Sequence, residues 1–407
     1  MAAPKLRFKE FDGDWSESKL KDCIDSIDSG WSPQCESYPA DENEWAVLKT
    51  TSVDWDGFKA NFNKKLPSNL EARFEIEVKP NDILVTRAGP TERVGVVAVV
   101  PHNVRSKLMI SDKLIRLKAN NENNPEFLGI SLSSVKCQNQ LQSKTSGLAK
   151  SQTNISQKIL CDVSLMTPAK AEQTKIASFL SAVDEKISQL TQKHELLSQY
   201  KQGMMQKLFS QQIRFKADNG SEFGEWEETL LSEFLTESLI KGLKGNEAKK
   251  LTVKLWGKGV VPKNEAFEGS ENTQYYKRFV GQLIYGKLDF LNCAFGIIPA
   301  HLDGYETTID APSFDINKEK ANPYFLLNRF LQKDFYKKNG EEADGSRKAK
   351  RINQSVFLAM QIDLPCLEEQ TKIANFLSAI DQKIEVVAQQ IEQAKTWKKG
   401  LLQQMFV

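Results

Sequence analysis

The chain has 407 residues, of which 40% are apolar and 27% are charged, and its formal net charge is +2 at pH 7. This length suggests two or three domains, and the composition excludes a wholly disordered or low-complexity protein. Proteins that bind nucleic acid unaided usually carry a marked basic excess, so a nearly neutral chain would need local patches or a partner. Neither a membrane span nor a signal peptide is recognisable, and we expect a cytoplasmic protein.

The first half opens with a short leading segment, Leu6 to Trp15, and continues as a mixture of strands and helices. Asp82 to Arg87 and Val94 to Pro101 are predicted to be short buried strands. Asn124 followed by Pro125 is typical of a helix N-cap with proline at the first helical position. A loop rich in lysine and small residues, Lys144 to Gln152, comes shortly before a long helix.

That helix is predicted by heptad spacing, because apolar residues recur at alternating steps of four and three. His194 and Lys201 interrupt the pattern, and Pro168 marks the approach to the helix. About 38 residues at about 1.5 Å each would span roughly 57 Å. Such a helix cannot bury its apolar stripe alone. The predicted seam residues of this helix are Ile176, Leu180, Val183, Ile187 and Leu190.

The second half repeats the first. Residues 172–187 and 369–384 are identical at 13 of 16 positions, without a gap. A second leading segment runs from Ile213 to Trp226, strands are predicted at 282–285 and 295–299, and Asn322-Pro323 matches the first cap. The regions between these shared parts are otherwise dissimilar. The second helix should pair with the first through Ile373, Leu377, Ile380, Ile384 and Val387. Two unrelated surface helices are the alternative.

Two loops in matching positions indicate contact with DNA. Lys333 to Arg351 holds seven Lys or Arg against four Asp or Glu, and it ends in small residues beside dense positive charge. The loop from Lys144 to Gln152 occupies the same place in the first half. Positive charges next to Gly and Ser suit a phosphate backbone, because they release counterions and the backbone can approach closely. A single loop of this kind is more often solvated surface, but the recurrence favours a function.

Catalytic motifs are weak. Asn322-Pro-Tyr-Phe resembles a methyltransferase loop but lacks its second proline, and a helix cap explains it. Glu77-Val-Lys79 has the E-x-K form of some nucleases, without a convincing partner carboxylate. The chain has no phosphate-binding loop, and its six cysteines and three histidines have no zinc-ligand spacing. We expect neither a catalytic nor a metal site, and the thiols should be reduced.

The duplicated E-Q-x-x-I-x-x-x-L-x-x-x-D-x-x-I helix start at Glu172 and Glu369 resembles that of the specificity (S) subunit of type I restriction–modification enzymes, over essentially the whole chain. Asp82 to Gly89 also looks like that family's strand-turn segment. The resemblance implies an α+β fold: two mixed α/β target recognition domains separated by two long antiparallel coiled-coil helices, with a pseudo-two-fold internal repeat. The implied segments are recognition domain 1 (residues 1–168), a central helix (169–212), recognition domain 2 (213–366) and a C-terminal helix (367–407).

The resemblance also implies a function. Each recognition domain would read one half of a bipartite site in double-stranded DNA, and the helices would set the spacing and dock two modification (methyltransferase) subunits. Restriction subunits would add cleavage, and S-adenosylmethionine, ATP and Mg would be held by those partners and not by this chain. The alternatives are a DNA-binding protein without a methyltransferase partner and a nuclease around Glu77 and Lys79. The predicted DNA-binding residues are Thr86, Arg87, Lys144, Thr145, Lys150, Gln152, Lys287, Arg347, Lys348, Lys350, Arg351 and Asn353, where Lys287 is equated with Arg87.

Overall fold

The structure is a computed structural model that describes residues 4–149, 152–245, 247–263, 271–340 and 351–406. The chain divides into two compact units: unit 1 comprises the residues up to Leu190 together with those from Gln390 onward, and unit 2 comprises Thr191–Gln389. Both boundaries fall inside long helices, so each helix contributes one part to each unit. Within the described ranges, no helix is long and apolar enough to cross a membrane.

In its described residues, unit 1 contains fourteen strands and three short helices, followed by the first long helix. The strands are β1 (Ser16–Lys19), β2 (Ile24–Ser29), β3 (Ala46–Leu48), β4 (Val53–Asp54), β5 (Gly57–Phe58), β6 (Asn63–Lys65), β7 (Ile83–Thr86), β8 (Ala88–Gly89), β9 (Val97–Val99), β10 (Leu108–Met109), β11 (Leu114–Ala119), β12 (Ser146–Ala149), β13 (Gln152–Asn154) and β14 (Ser164–Thr167). The helices are α1 (Pro125–Ser133), α2 (Val135–Gln142), α3 (Gln157–Cys161) and α4 (Lys170–Phe209).

The centre of unit 1 is an antiparallel sheet in the order β2-β11-β7-β9. Successive side chains of a strand point to opposite faces, and both faces of this sheet are covered. Ile83 and Val85 of β7 lie in a core formed with α1, α2 and the start of α4. Leu84, between them, lies in a second core formed with the smaller sheet β10-β3-β6. Burial on both faces explains why β7 reads as a continuous apolar run.

The described part of unit 2 contains eleven strands and three short helices, followed by the second long helix. The strands are β15 (Glu227–Leu230), β16 (Leu235–Ser238), β17 (Lys241–Lys244), β18 (Leu251–Val253), β19 (Val260–Pro262), β20 (Gln274–Lys277), β21 (Leu283–Tyr285), β22 (Phe295–Ile297), β23 (Glu306–Thr307), β24 (Ser313–Ile316) and β25 (Gln361–Leu364). The helices are α5 (Pro323–Phe330), α6 (Lys333–Gly340), α7 (Gln354–Leu358) and α8 (Leu367–Met405).

Unit 2 repeats the main-sheet topology of unit 1 with different core residues. Its main sheet is also antiparallel, in the order β16-β24-β21-β22, and the pair β15-β25 corresponds to β1-β14. The sheet packs on a cluster of aromatic rings, where Tyr285 contacts the rings of Phe314 and Phe357. The corresponding strand of unit 1 carries aliphatic residues. Because different residues fill the equivalent cores, the regions between the repeated segments look dissimilar in sequence although they share a sheet order.

The two long helices pack against each other in the same antiparallel manner within each unit. In unit 1, Leu401 and Met405 near the end of α8 join Ile176 and Leu180 near the start of α4 in one core. In unit 2, the partners are reversed, and the end of α4 packs with the start of α8. The predicted seam residues are buried or half-buried. The predicted strands contain β7, β9, β21 and β22, and Asn124 and Asn322 cap α1 and α5, so these predictions and the fold class are confirmed.

An ion pair accompanies the helix packing in each unit. Lys398 of α8 lies 2.5 Å from a carboxylate oxygen of Asp184 of α4 in unit 1. In unit 2, Lys201 of α4 lies 2.7 Å from both carboxylate oxygens of Asp381 of α8. Lys201 interrupts the apolar heptads because it forms this ion pair. A charged pair at a single position fixes the register of two helices.

Candidate nucleic-acid interface

The duplicated Glu-Gln at the start of each long helix is a buried anchor for the leading segment. In unit 1, Arg7 Nε and Nη2 each donate to Glu172 at 2.7 Å, and Trp15 Nε1 donates to the same carboxylate at 3.3 Å. In unit 2, Arg214 donates to Glu369 at 3.1 and 2.8 Å, and Trp226 donates at 3.1 Å. The sequence similarity between the two leading segments therefore reflects a structural contact that both units make.

The glutamine that follows each glutamate holds the first helix of the recognition region. Gln173 Oε1 accepts from the Asn124 amide at 2.9 Å, and its Nε2 donates to the Pro168 carbonyl at 2.9 Å. Gln370 does the same for Asn322, at 2.8 Å, and for Pro365. Both asparagines cap their helices, since their side-chain oxygens accept backbone amides of the first turn. This capping role accounts for the Asn-Pro motif, so a methyltransferase loop is not needed to explain the motif.

Arg87 and Lys287 occupy equivalent positions in the two units. The Arg87 amide donates to Lys113 O at 2.8 Å, and Arg87 O accepts from the Ile155 amide at 3.0 Å. The Lys287 amide likewise donates to Asp310 O at 2.9 Å, and Lys287 O accepts from the Ile352 amide at 3.2 Å. The backbone therefore supports equating Arg87 with Lys287, although the strands before them differ in sequence.

The side chains at this turn differ in exposure. Arg87 is exposed, whereas Thr86 and Lys287 are buried. The Thr86 hydroxyl donates to the Arg93 carbonyl and accepts from the Val96 amide at 2.9 Å, so a contact from Thr86 to DNA would require these bonds to open. Burial lowers the pKa of Lys287, partly offset by Asp310. A direct DNA contact of Thr86 or Lys287 stays a prediction.

The first predicted loop lies next to Arg87. After Lys144, which is exposed, the chain forms β12 and β13, and β13 pairs with β8 directly after Arg87. Thr145 is half-buried and its hydroxyl donates to Gln142 O at 2.9 Å. Gln152 begins β13, and Lys150 lies outside the described residues. The fold thus places Arg87 directly before β8, which lies in one sheet with the strands that follow Lys144.

The second predicted loop is described only at its end. Arg347, Lys348 and Lys350 lie outside the described residues. Arg351 is exposed, and its Nη1 lies 3.4 Å from Asp310 Oδ1, beside the Lys287 turn. Asn353 is also exposed, and its side chain makes no capping bond to α7, which it precedes.

A denser basic segment in unit 2 was missed by the sequence reasoning. Residues 241–263 contain seven lysines and one glutamate. The segment forms β17, β18 and β19, and all of its lysines except Lys250 are exposed. Lys250 and Lys263 line a cavity of about 190 Å³ together with Asp310, the partner of Arg351. The lysines of this segment are not consecutive, so it does not stand out by eye. A count of charges in a sliding window would have found it.

Glu77 and Lys79 form an ion pair with each other. Glu77 also accepts from the Lys107 amide at 2.7 Å, so its carboxylate already has two protein partners. Over the residues that the structure describes, no group of three or more His, Cys, Asp or Glu side chains could hold a metal ion. The geometry gives no support to a nuclease centre at this position.

Comparisons with known proteins agree with this architecture. The family model of the type I restriction modification DNA specificity domain matches residues 13–199 and 312–396, which is more than half of the chain. The EcoEI specificity subunit of Escherichia coli is 40% identical over 166 residues, which cover 40% of this chain but only 28% of that relative. A putative type I restriction enzyme specificity subunit of Methanocaldococcus jannaschii is 25% identical over 98% of this chain and 94% of its own length.

A solved structure shares the fold. The S subunit of a type I restriction–modification system from M. genitalium aligns over 100% of this chain and 99% of its own length, with a TM-score of 0.62 and 15% identity. The match to the family model is the stronger finding about descent, because it covers most of both long helices and parts of both units. The chain therefore belongs to the type I restriction–modification DNA specificity family, as predicted, and its role is DNA recognition and not catalysis.

Proposed function

We propose that each unit reads one half of a bipartite site in double-stranded DNA, as one subunit of a modification and restriction complex. The observation that carries the proposal is the repetition of one scaffold under two unlike surfaces. The Arg–Glu–Trp anchor, the sheet order and the helix caps recur in both units, whereas the loops and exposed charges do not. A constant frame with variable surfaces suits a protein that reads two different sequences, since base contacts specify and the frame does not.

The surfaces that would face DNA follow from the exposed candidates. In unit 1 they are Arg87 and Lys144. In unit 2 they are Arg351, Asn353 and the basic segment 241–263. Lysine and arginine would bind phosphates and release counterions, while arginine and asparagine pair with guanine and adenine edges in the major groove. The net charge of +2 is then compatible with DNA binding, because the positive charge is concentrated in these segments.

We also propose that α4 and α8 set the separation of the half-sites and dock two modification subunits. The chain passes between the units only within these two helices. The ion pairs Lys398–Asp184 and Lys201–Asp381 fix the register of the pair in each unit. Restriction subunits would complete the complex, and S-adenosylmethionine, ATP and Mg would bind to the partners. Such a complex would act on DNA in the cytoplasm.

Charge reversal of Arg347, Lys348, Lys350 and Arg351 to glutamate tests the DNA interface. Affinity for duplex DNA should fall, and the dependence of log affinity on log salt should flatten by about 0.9 for each phosphate that is no longer neutralised. Fluorescence anisotropy over a salt series measures both quantities. Arg351→Glu compared with Lys318→Glu, an exposed lysine elsewhere in unit 2, provides a matched pair of single reversals. If Arg351→Glu and Lys318→Glu showed equal slopes of log affinity against log salt, Arg351 would not contact a phosphate.

The purified chain alone should neither methylate nor cleave DNA, whereas methylation should appear when modification subunits from the same host are added. The reason is that a DNA specificity subunit contributes recognition and its partners contribute the chemistry. Transfer of labelled methyl groups to host-site DNA is the measurement. Methylation by the chain alone would contradict the proposal. A chain that binds its site but never supports methylation would instead be a DNA-binding protein of this fold without such a partner.

A further inference from the structure

Trp256 lies at the tip of the hairpin formed by β18 and β19, and 58% of its surface is exposed. Lys254 and Lys258 flank it, and both are exposed. A large aromatic side chain that is exposed between two lysines is poorly explained as part of a core. It suits a partner that offers both negative charge and flat apolar surface.

The backbone of Trp256 is held in a conformation that bulky residues avoid. Its φ is +60°, in the left-handed region where a side chain other than glycine is strained. Two hydrogen bonds to the neighbouring turn hold it there: the Trp256 amide donates to Asn292 O at 2.8 Å, and the Gly257 amide donates to Cys293 O at 3.0 Å. A strained residue that its surroundings hold in place is a frequent feature of binding sites.

Unit 1 also exposes a tryptophan at a hairpin tip, although this hairpin lies within the connection between β3 and β6, the strands that correspond to β18 and β19. Trp55 lies at the tip of the hairpin formed by β4 and β5, and 51% of its surface is exposed. Arg93, in the turn between β7 and β9, donates to Val53 O of this hairpin at 2.8 Å. The turn between β21 and β22 is its equivalent and contains Asn292. Two regions of unlike sequence therefore each fix a hairpin to the same turn and expose a tryptophan at its tip.

The charges around Trp256 identify its partner as a polyanion. The hairpin belongs to the basic segment 241–263, which contains seven lysines and one glutamate. We propose that Trp256 contacts the bases or sugars of double-stranded DNA while Lys254 and Lys258 bind the adjacent phosphates. Aromatic and apolar side chains contact the thymine methyl group in the major groove or wedge between base steps in the minor groove. This inference rests on the proposed function and assigns it a residue.

Salt dependence separates the roles of the three residues. Trp256→Ala in the full chain, assembled with its modification subunits, should weaken binding to a duplex that contains the site mapped from host methylation by about tenfold. Its salt slope should stay unchanged, because no charge is removed. Lys254→Ala and Lys258→Ala should each lower the slope by about 0.9.

Two controls keep the result interpretable. Trp256→Gly removes the side chain and relieves the strain of the positive φ, so it should unfold no earlier than Trp256→Ala yet bind DNA as weakly. Val135→Ala truncates a residue that is 72% exposed on α2 and should bind like the unaltered chain. If Trp256→Ala binds its site normally, or only prevents assembly with modification subunits, the inference is wrong. If the unaltered complex does not prefer its site, the proposed function itself fails.

Discussion

Glu369→Ala is expected to destabilise unit 2 by about 3 kcal/mol. The Glu369 side chain has no exposed surface and accepts hydrogen bonds from both Arg214 and Trp226. Its removal leaves the guanidinium and the indole N–H without their acceptor, and breaking a buried ion pair by deleting one partner is strongly destabilising. Urea unfolding gives the total change. Hydrogen exchange at β21 and β7 shows whether the loss is confined to unit 2.

Glu368→Ala is the matched control, because Glu368 is the preceding residue and is exposed. It lies in the same first helical turn and therefore carries the same favourable interaction with the helix dipole, which is typically worth up to about 1 kcal/mol. Glu172→Ala should destabilise unit 1 in the same direction. Equal unfolding curves for Glu369→Ala and Glu368→Ala would show that the Arg–Glu–Trp anchor contributes nothing.

Exchange of residues 213–366 for the equivalent region of another specificity subunit is expected to replace one half-site completely. The other half-site and the spacing between them should remain, since both long helices and the surfaces of unit 1 stay in place. The exchanged segment contains Arg214 and Trp226, while Glu369 stays behind in the recipient. A donor segment with its own arginine and tryptophan at these positions should therefore dock correctly. Mapping of methylated adenines gives the new site directly.

The control for this exchange is the same chimera with its leading-segment arginine changed to alanine, which should fold poorly because Glu369 then lacks its partner. Simultaneous change of both half-sites would show that the units do not read independently. A changed spacer with both helices intact would show that α4 and α8 do not set the distance.

Prediction from sequence succeeded for elements whose own residues form a recognisable pattern. The heptads of α4 and α8 predict both helices and their mutual packing, since an apolar stripe must be covered. The strands β7, β9, β21 and β22 are apolar runs bounded by Gly or Pro, and both asparagine caps precede proline. Prediction was weaker at the candidate DNA interface. The basic segment 241–263 is visible in the sequence but was not singled out, and Trp256 gives no signal there because its exposure and its positive φ depend on contacts with a distant turn.

The internal repeat, the long heptad helix at the end of each copy and the resemblance to a DNA specificity subunit can all be recognised from the residues alone. These conclusions rest on local periodicity and on identity between two segments. What the repeated residues do becomes visible in their three-dimensional contacts. Arg7 and Glu172 are 165 positions apart, and their pairing depends on how the chain folds back. The common sheet order of the two units likewise depends on the tertiary structure, because different sets of core residues in the two units satisfy the same packing requirement.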